Sequence, residues 1–93
     1  AVARGLAHPV RVAIVRRLAT TGPSVASDIA DASGLAQSTV SEHLRVLRDT
    51  GILSSHREGR RVWYCVDPRA MRGFIRALDG LSGGIPCTRD QVP

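Results

Sequence analysis

The residues with most potential for chemistry are the polar side chains between Gln37 and Arg48, and that chemistry is hydrogen bonding. Gln37, Ser38 and Ser41 fall at the start of a helix predicted over residues 37–50. A glutamine amide pairs well with the N6 and N7 atoms of adenine, and a serine hydroxyl fits several base or phosphate acceptors. These residues predict a surface that recognises another molecule.

The helix itself is predicted from its apolar positions, since Val40, Leu44 and Leu47 repeat every three to four residues and face inward together. Gly51 marks its end. Ala36 stands at the N-cap position, where it lacks the side-chain acceptor of a serine, at a cost of about 1 kcal/mol. The outward side carries Gln37, Ser38, Ser41, Glu42, Arg45 and Arg48. Together with Thr39, these residues form what we term the polar ridge.

A shorter helix is predicted just before it. Ser24 is expected to cap this helix, which runs to about Ala32, and Gly34 supplies a left-handed turn. Two helices joined in this way form a helix-turn-helix, whose second helix lies in the DNA major groove. The alternative interpretation of the ridge is a solvated helix face with no target.

Two short runs, Ile52–Arg57 and Arg61–Val66, predict a hairpin around Gly59. Its tip gathers three guanidinium groups, which suit a narrow minor groove or the phosphates beside it. The alternative is that the charges merely protect a sheet edge from pairing with another chain. Because the hairpin follows the predicted reading helix, we interpret it as a DNA-binding wing.

The charge of the chain agrees with a nucleic-acid partner. The formal net charge is +5, and all thirteen basic residues are arginines. Arg45 lies farther along the helix than Gln37 and is expected to neutralise phosphates. The predicted DNA contacts are therefore Gln37, Ser38, Thr39, Ser41, Glu42, Arg45, Arg57, Arg60 and Arg61.

Amphipathic helices are predicted on both sides of this unit. The first has apolar residues every four positions from Leu6 to Leu18 and restarts near His8-Pro9, where His8 is expected to be a cap more often than a ligand. The last is capped by Asp67, has Pro68 in its first position and carries an apolar stripe; Gly80, Gly83-Gly84 and Pro86 end it. The predicted fold is mainly α with a two-stranded β wing, a winged helix-turn-helix over residues 1–82 with a flexible tail over 83–93.

Several other classes of protein fit poorly. The sequence shows no nucleophile–base pair, phosphate loop or carboxylate dyad, so no enzyme is predicted. No apolar run approaches the roughly 18 residues that span a bilayer, and no signal-peptide layout is present at the N-terminus. We therefore expect a cytoplasmic protein that does not enter a membrane. Cys65 and Cys87 are too few and too distant for a disulfide framework and are expected to be free thiols.

Three segments together resemble the ArsR/SmtB family of bacterial transcriptional repressors. They are Leu6–Arg11, Leu35–Leu47 and Arg57–Tyr64, and the resemblance covers about residues 3–82. It implies a homodimer built on the first and last helices, operator binding without inducer, and release when an inducer binds. It also implies that Gln37, Ser38 and Ser41 touch bases and phosphates.

The chain departs from the family at its sensing sites. The arsenic-type cysteine pair is absent from Ser24–Asp28, and the last helix has no histidine and one carboxylate, Asp79, where the zinc-type site needs Asp and His residues. Glu42 stands where the family usually has a basic or neutral residue, and Ala36 replaces the usual serine. A transition-metal or metalloid inducer would need an unusual set of ligands, drawn from Cys65, Cys87, His8 and His56.

Two functions remain open at this point. The first is a dimeric repressor that binds a near-palindromic double-stranded operator and needs no cofactor to do so. The second is a protein–protein interaction module that keeps the winged-helix scaffold without a DNA target. His43 on the reading helix is explained by a structural role as readily as by DNA contact. For Cys65 in the hairpin, a half-exposed structural thiol is favoured over a sensing cysteine.

Overall fold

The computed structural model describes residues 2–83, and it confirms the predicted winged helix-turn-helix. A three-stranded antiparallel sheet, in which the strand over residues 61–66 lies between those over 24–25 and 53–58, packs against the helices. In chain order the elements are α1 (Val2–Leu6), α2 (Pro9–Thr21), β1 (Ser24–Val25), α3 (Ala26–Ser33), α4 (Gln37–Asp49), β2 (Leu53–Glu58), β3 (Arg61–Val66) and α5 (Pro68–Ser82). The tail predicted over 83–93, with Cys87, lies outside the described residues apart from Gly83.

The hydrophobic core lies between α2, α3, α4 and the start of β2. Val40, Leu44 and Leu47 of α4 are each 0% exposed, as the helical spacing predicted. They pack with the buried apolar side chains of the neighbouring elements, which are Ile14, Val15, Leu18, Ile29, Ala30, Ile52 and Leu53. Burial of each large aliphatic side chain is worth about 1.5–3 kcal/mol, so this set fixes the rotation of α4 about its own axis.

The start of α2 follows the prediction for His8-Pro9. The Nδ1 atom of His8 accepts a hydrogen bond from the backbone N–H of Val10 at 3.2 Å, and Pro9 takes the first helical position. Proline has no backbone N–H, and no hydrogen bond is lost here because the N–H of any residue at this position lacks a partner within the helix. Helix α2 ends at Thr21, and Gly22 continues with a φ of 85°.

The prediction that Ser24 caps the next helix is wrong. Ser24 instead lies in β1, pairs with Tyr64 of β3, and donates its hydroxyl to the Gly22 carbonyl at 3.2 Å. The residue that caps α3 is Val25, which offers no side-chain acceptor. The sheet therefore has three strands where the sequence predicted two. A strand of two residues is too short to show the alternation that identifies strands.

Smaller differences concern where elements end. Helix α4 ends at Asp49, one residue before the prediction, because Thr50 caps it from outside. The first wing strand begins at Leu53 and reaches Glu58. Asp67 caps α5 as predicted, since its Oδ1 accepts from the N–H of Arg69 at 2.9 Å. Gly80 does not interrupt α5, which continues to Ser82.

Helix α5 has no buried residue in the single chain. Its apolar side chains Ile75, Leu78 and Leu81 are 56%, 48% and 78% exposed. A large contiguous apolar face of this kind commonly marks an interaction site. None of the helices described between residues 2 and 83 has the length and apolar character needed to cross a bilayer.

Helix α1 lies close to the end of α4, and a glycine makes that approach feasible. A Cβ atom built on Gly5 would lie 2.7 Å from both the Cδ1 of Ile52 and the Oγ1 of Thr50. Both neighbours are buried, and the Thr50 hydroxyl is held by a 2.9 Å hydrogen bond to the Leu47 carbonyl. An added methyl group therefore has no free space to enter.

Gly5→Ala is expected to lower the free energy of unfolding by about 1–3 kcal/mol, because overpacking outweighs the better helix propensity of alanine. Gly73→Ala is the matched control, since a Cβ at this α5 position meets nothing within 4 Å. The free energy of unfolding of Gly73→Ala should rise by up to about 1 kcal/mol. Urea unfolding of both variants measures the difference, and a Gly5→Ala protein as stable as its control would contradict the packing described.

A pair of histidines joins α2 to the reading helix. The rings of His8 and His43 lie 4.8 Å apart between centroids, with their planes inclined at 56°. Burial lowers the pKa of His43 below its ordinary value of 6.5, and electrostatic interaction with His8 and Arg11 lowers that pKa further. Glu42 acts in the opposite direction but does not reverse the shift. The folded protein therefore favours the neutral imidazole at position 43.

This lowered pKa predicts a loss of stability in mild acid. The stabilisation from neutral His43 is complete above its unfolded pKa, near 6.5, and is lost as pH falls through the lower folded pKa. Urea unfolding between pH 7.5 and 5.5 should show a smaller loss of stability for His43→Gln than for the wild type. His56→Gln is the control, since His56 is exposed on β2. Equal pH slopes for the wild type and His43→Gln would contradict the assignment.

Candidate nucleic-acid interface

The polar ridge lies on the solvent side of α4. Every member of the ridge is exposed, and every third or fourth residue behind it is buried in the core. Ala36 precedes the helix without a side-chain hydrogen bond, as predicted. The first-turn backbone N–H groups of α4 are therefore not occupied by a cap from residue 36. The start of α4 presents both side-chain and backbone donors to the exterior.

The wing and the start of the reading helix border the same groove. Gln37 from α4 and Arg60 and Arg61 from the wing line an open groove of about 370 Å³. The remaining lining residues come from the start of α3 and from β3, and they are Val25, Ala26, Ser27, Asp28, Val62 and Tyr64. The fold thus brings together an amide and two guanidinium groups that are more than 20 residues apart in sequence.

The turn of the wing presents its arginines outward. Strands β2 and β3 pair from Leu53–Val66 to Glu58–Arg61, which leaves Gly59 and Arg60 as the two-residue turn. Gly59 has a φ of 61°, which a two-residue turn with glycine at its first position requires. Arg57, Arg60 and Arg61 are all exposed, and within residues 2–83 none of them forms an ion pair.

Arg45 differs from the wing arginines, because carboxylates of its own helix hold it. Its Nε donates to Glu42 at 3.2 Å and its Nη1 donates to Asp49 at 3.1 Å. The hydrogen bond from Arg45 lowers the pKa of the Glu42 carboxyl, and that same bond raises the pKa of Arg45. One positive and two negative charges leave this cluster with a net charge of −1 around neutral pH.

This cluster was not predicted from the sequence. Residues 42, 45 and 49 have the three- and four-residue spacings at which side chains meet on one helix face, and this spacing is the signal that indicates the cluster. Arg45 and Glu42 remain predicted DNA contacts. To reach a phosphate, however, Arg45 has to exchange partners with which it is already paired in the free protein. The wing arginines meet no such competition in the described part of the chain.

The candidate metal ligands lie on different elements. The Nδ1 of His8 caps α2, His56 is exposed on β2 opposite Trp63, and Cys65 is a free thiol whose Sγ lies 3.0 Å from the Ser54 hydroxyl. Within residues 2–83, no three His, Cys, Asp or Glu side chains are close enough together to hold a metal ion. The role predicted for Cys87 falls outside these residues.

Comparison with known proteins agrees with this geometry. A family model described as a helix-turn-helix domain matches residues 6–56. The chain is 43% identical to the transcriptional regulator NmtR of Mycobacterium tuberculosis over 66% of its own length, and it spans 50% of that relative. It is 34% identical to the probable mercury resistance operon repressor of Streptomyces lividans, over 92% of this chain and 72% of that protein.

A solved structure shows the same architecture. The homodimeric winged helix-turn-helix DNA-binding domain of a possible ArsR-family regulator from Mycobacterium bovis superposes with a TM-score of 0.72. It is 27% identical and covers 87% of this chain, which in turn covers 74% of that domain. The family model spans the turn before the reading helix and the reading helix itself. The chain belongs to the ArsR/SmtB family of winged helix-turn-helix transcriptional regulators.

Proposed function

We propose that this chain is a homodimeric, operator-binding repressor. The observation that carries the proposal is the groove that Gln37 shares with Arg60 and Arg61, next to the exposed polar ridge. A duplex lying along this groove would meet base-reading side chains and phosphate-binding side chains together. Membership of a family of transcriptional regulators favours this function over the protein-interaction module and over an enzyme.

In this proposal α4 enters the major groove through its first turns. Gln37, Ser38 and Ser41 read base edges, Thr39 contacts the flanking backbone, and Glu42 accepts from the N4 of a cytosine. Arg57, Arg60 and Arg61 reach the adjacent minor groove or its phosphates from the wing. Arg45 contributes to phosphate binding only after leaving Glu42 and Asp49. Its net contribution to affinity is therefore smaller than that of the wing arginines.

The apolar face of α5 supports the dimer. Its exposed leucines and isoleucine need a partner, and a second copy would bring an identical face, with α1 beside it. The Mycobacterium bovis neighbour is itself homodimeric. A two-fold dimer places two reading helices on successive turns of the duplex, so the operator is near-palindromic with half-sites about 10 bp or somewhat more apart. A single unit over residues 1–82 provides both DNA binding and dimerisation.

We further propose that an inducer releases the operator and that the protein works in the cytoplasm. The Streptomyces lividans relative is named as a mercury resistance repressor, which supports a transition-metal or metalloid ion as one inducer class. Such an ion would have to combine Cys65, His8 or His56 with ligands outside residues 2–83, such as Cys87 or a residue of a second copy. DNA binding itself requires no cofactor.

Replacing Gln37 and Ser41 by alanine tests the reading role. The wild-type chain would first select its preferred duplex from a random library, and fluorescence anisotropy would then measure affinity. The double variant is expected to lose 10-fold or more on that duplex, with little change on an unrelated one, because each lost base contact costs about 1–3 kcal/mol. Thr20→Ala removes an exposed hydroxyl from α2 and should bind like the wild type. Unchanged selectivity in the double variant would overturn the proposed role.

Replacing Arg60 and Arg61 by glutamine tests the wing. Each phosphate neutralised contributes about −0.9 to the slope of log affinity against log salt concentration, so the slope should become less steep by up to about two per wing. Affinity should fall on selected and unrelated duplexes alike. Arg16→Gln, which removes the charge of one exposed arginine on α2, serves as the control for loss of charge away from the wing. If both proteins showed the same salt slope, the wing would not touch the backbone.

A further inference from the structure

A second groove lies between α2 and the segment that leads into the reading helix. It has a volume of about 380 Å³ and is open to solvent along one side. Most of its lining is aliphatic, and the lining residues are Val10, Ala13, Ile14, Arg17, Ile29, Ala32, Ser33 and Leu35. This volume lies at the lower end of the range found for small-molecule sites, which are mostly apolar with a few polar groups.

Arg17 is the one charged residue in the lining of this groove. Its Nε atom is shielded from solvent and finds no hydrogen-bond acceptor among the described residues. The other polar residue, Ser33, donates its hydroxyl to the Ala30 carbonyl at 3.2 Å, and no hydrogen bond joins it to Arg17 among the described residues. A guanidinium beside an aliphatic groove suits the carboxylate of a bound anion, because a charge-assisted hydrogen bond is stronger than one between neutral groups.

From this combination we propose that the groove binds a small organic anion, with a carboxylate on Arg17 and an aliphatic chain along Val10, Ala13 and Leu35. The aliphatic lining excludes a bare inorganic anion as the preferred ligand, since it would leave most of the groove empty. A metal ion is equally unsuited, because the lining contains no histidine, cysteine or carboxylate. Because Arg17 is positively charged, we expect the ligand to be an organic acid and not a neutral lipid.

The site has a direct mechanical link to DNA binding, and this part of the inference rests on the proposed function. Leu35 lines the groove, and only Ala36 separates it from Gln37 at the start of α4. Ile29 of α3 lines the groove while its side chain is 1% exposed and packed in the core. A ligand wedged between α2 and Leu35 would shift the helix-turn-helix against α2, and with it the polar ridge. The anion therefore acts as an effector.

Octanoate and 1-octanol are suitable probes, since they share an alkyl chain and differ in charge. Isothermal titration calorimetry of the full chain should detect octanoate binding. Arg17→Met removes the charge but keeps an aliphatic side chain, and it should lower the affinity for octanoate at least 10-fold. The matched control is Arg16→Met, whose parent residue is the exposed neighbour of Arg17 and does not line the groove; it should stay within 2-fold of the wild type. Octanol should bind all three proteins equally weakly.

Backbone amide shifts in two-dimensional NMR then locate the bound octanoate. The inference predicts shifts centred on residues 10–17 and 29–35 and a lower affinity for the selected duplex when octanoate is present. No octanoate binding at millimolar concentration, equal weakening by Arg16→Met, or shifts centred on α5 would overturn the site. Octanoate binding without any change in DNA affinity would overturn the effector role. Duplex binding by the ligand-free chain is measured separately. A failure to bind octanoate therefore leaves the repressor proposal intact, and a failure to bind DNA leaves the octanoate site intact.

Discussion

The structure depends on burial of one face of α4. Val40, Leu44 and Leu47 are completely shielded from solvent, and any rotation of the helix by a third of a turn would expose them at about 1.5–3 kcal/mol each. This constraint leaves no freedom in the direction of Gln37, Ser38 and Ser41. Recognition is thus positioned by apolar contacts on the opposite side of the same helix, and the polar side chains need not hold the fold together.

The charges around this helix are distributed unevenly. Arg45 is paired within α4 to Glu42 and Asp49, whereas the wing arginines project outward from a two-residue turn. The helix therefore presents a surface close to neutral, suited to reading base edges, and the hairpin presents the attractive charge. Such a division separates specificity from salt-dependent affinity, since base contacts discriminate sequences and phosphate contacts do not.

Much of this arrangement could be predicted from the sequence. The helices, the wing and the inward residues of α4 follow from apolar periodicity and from glycine and proline positions, and His8 and Asp67 cap their helices as expected. The strand at Ser24–Val25 could not be predicted from the sequence, because its two residues are extended only by pairing with Tyr64 and Trp63. The His8–His43 contact and the groove at Arg17 likewise depend on how α2 packs against other helices. Local sequence patterns do not predict how separate helices pack against one another.

The central proposal is that the polar ridge faces duplex DNA. A photo-crosslinking amino acid placed at Thr39, an exposed ridge position, tests the claim most directly, because it reports contact rather than affinity. Irradiation with the selected duplex should join this residue to the DNA, at positions repeated in both half-sites. Crosslinks from Thr39 to a second copy of the chain, with none to DNA under conditions where the duplex is bound, would contradict the claim.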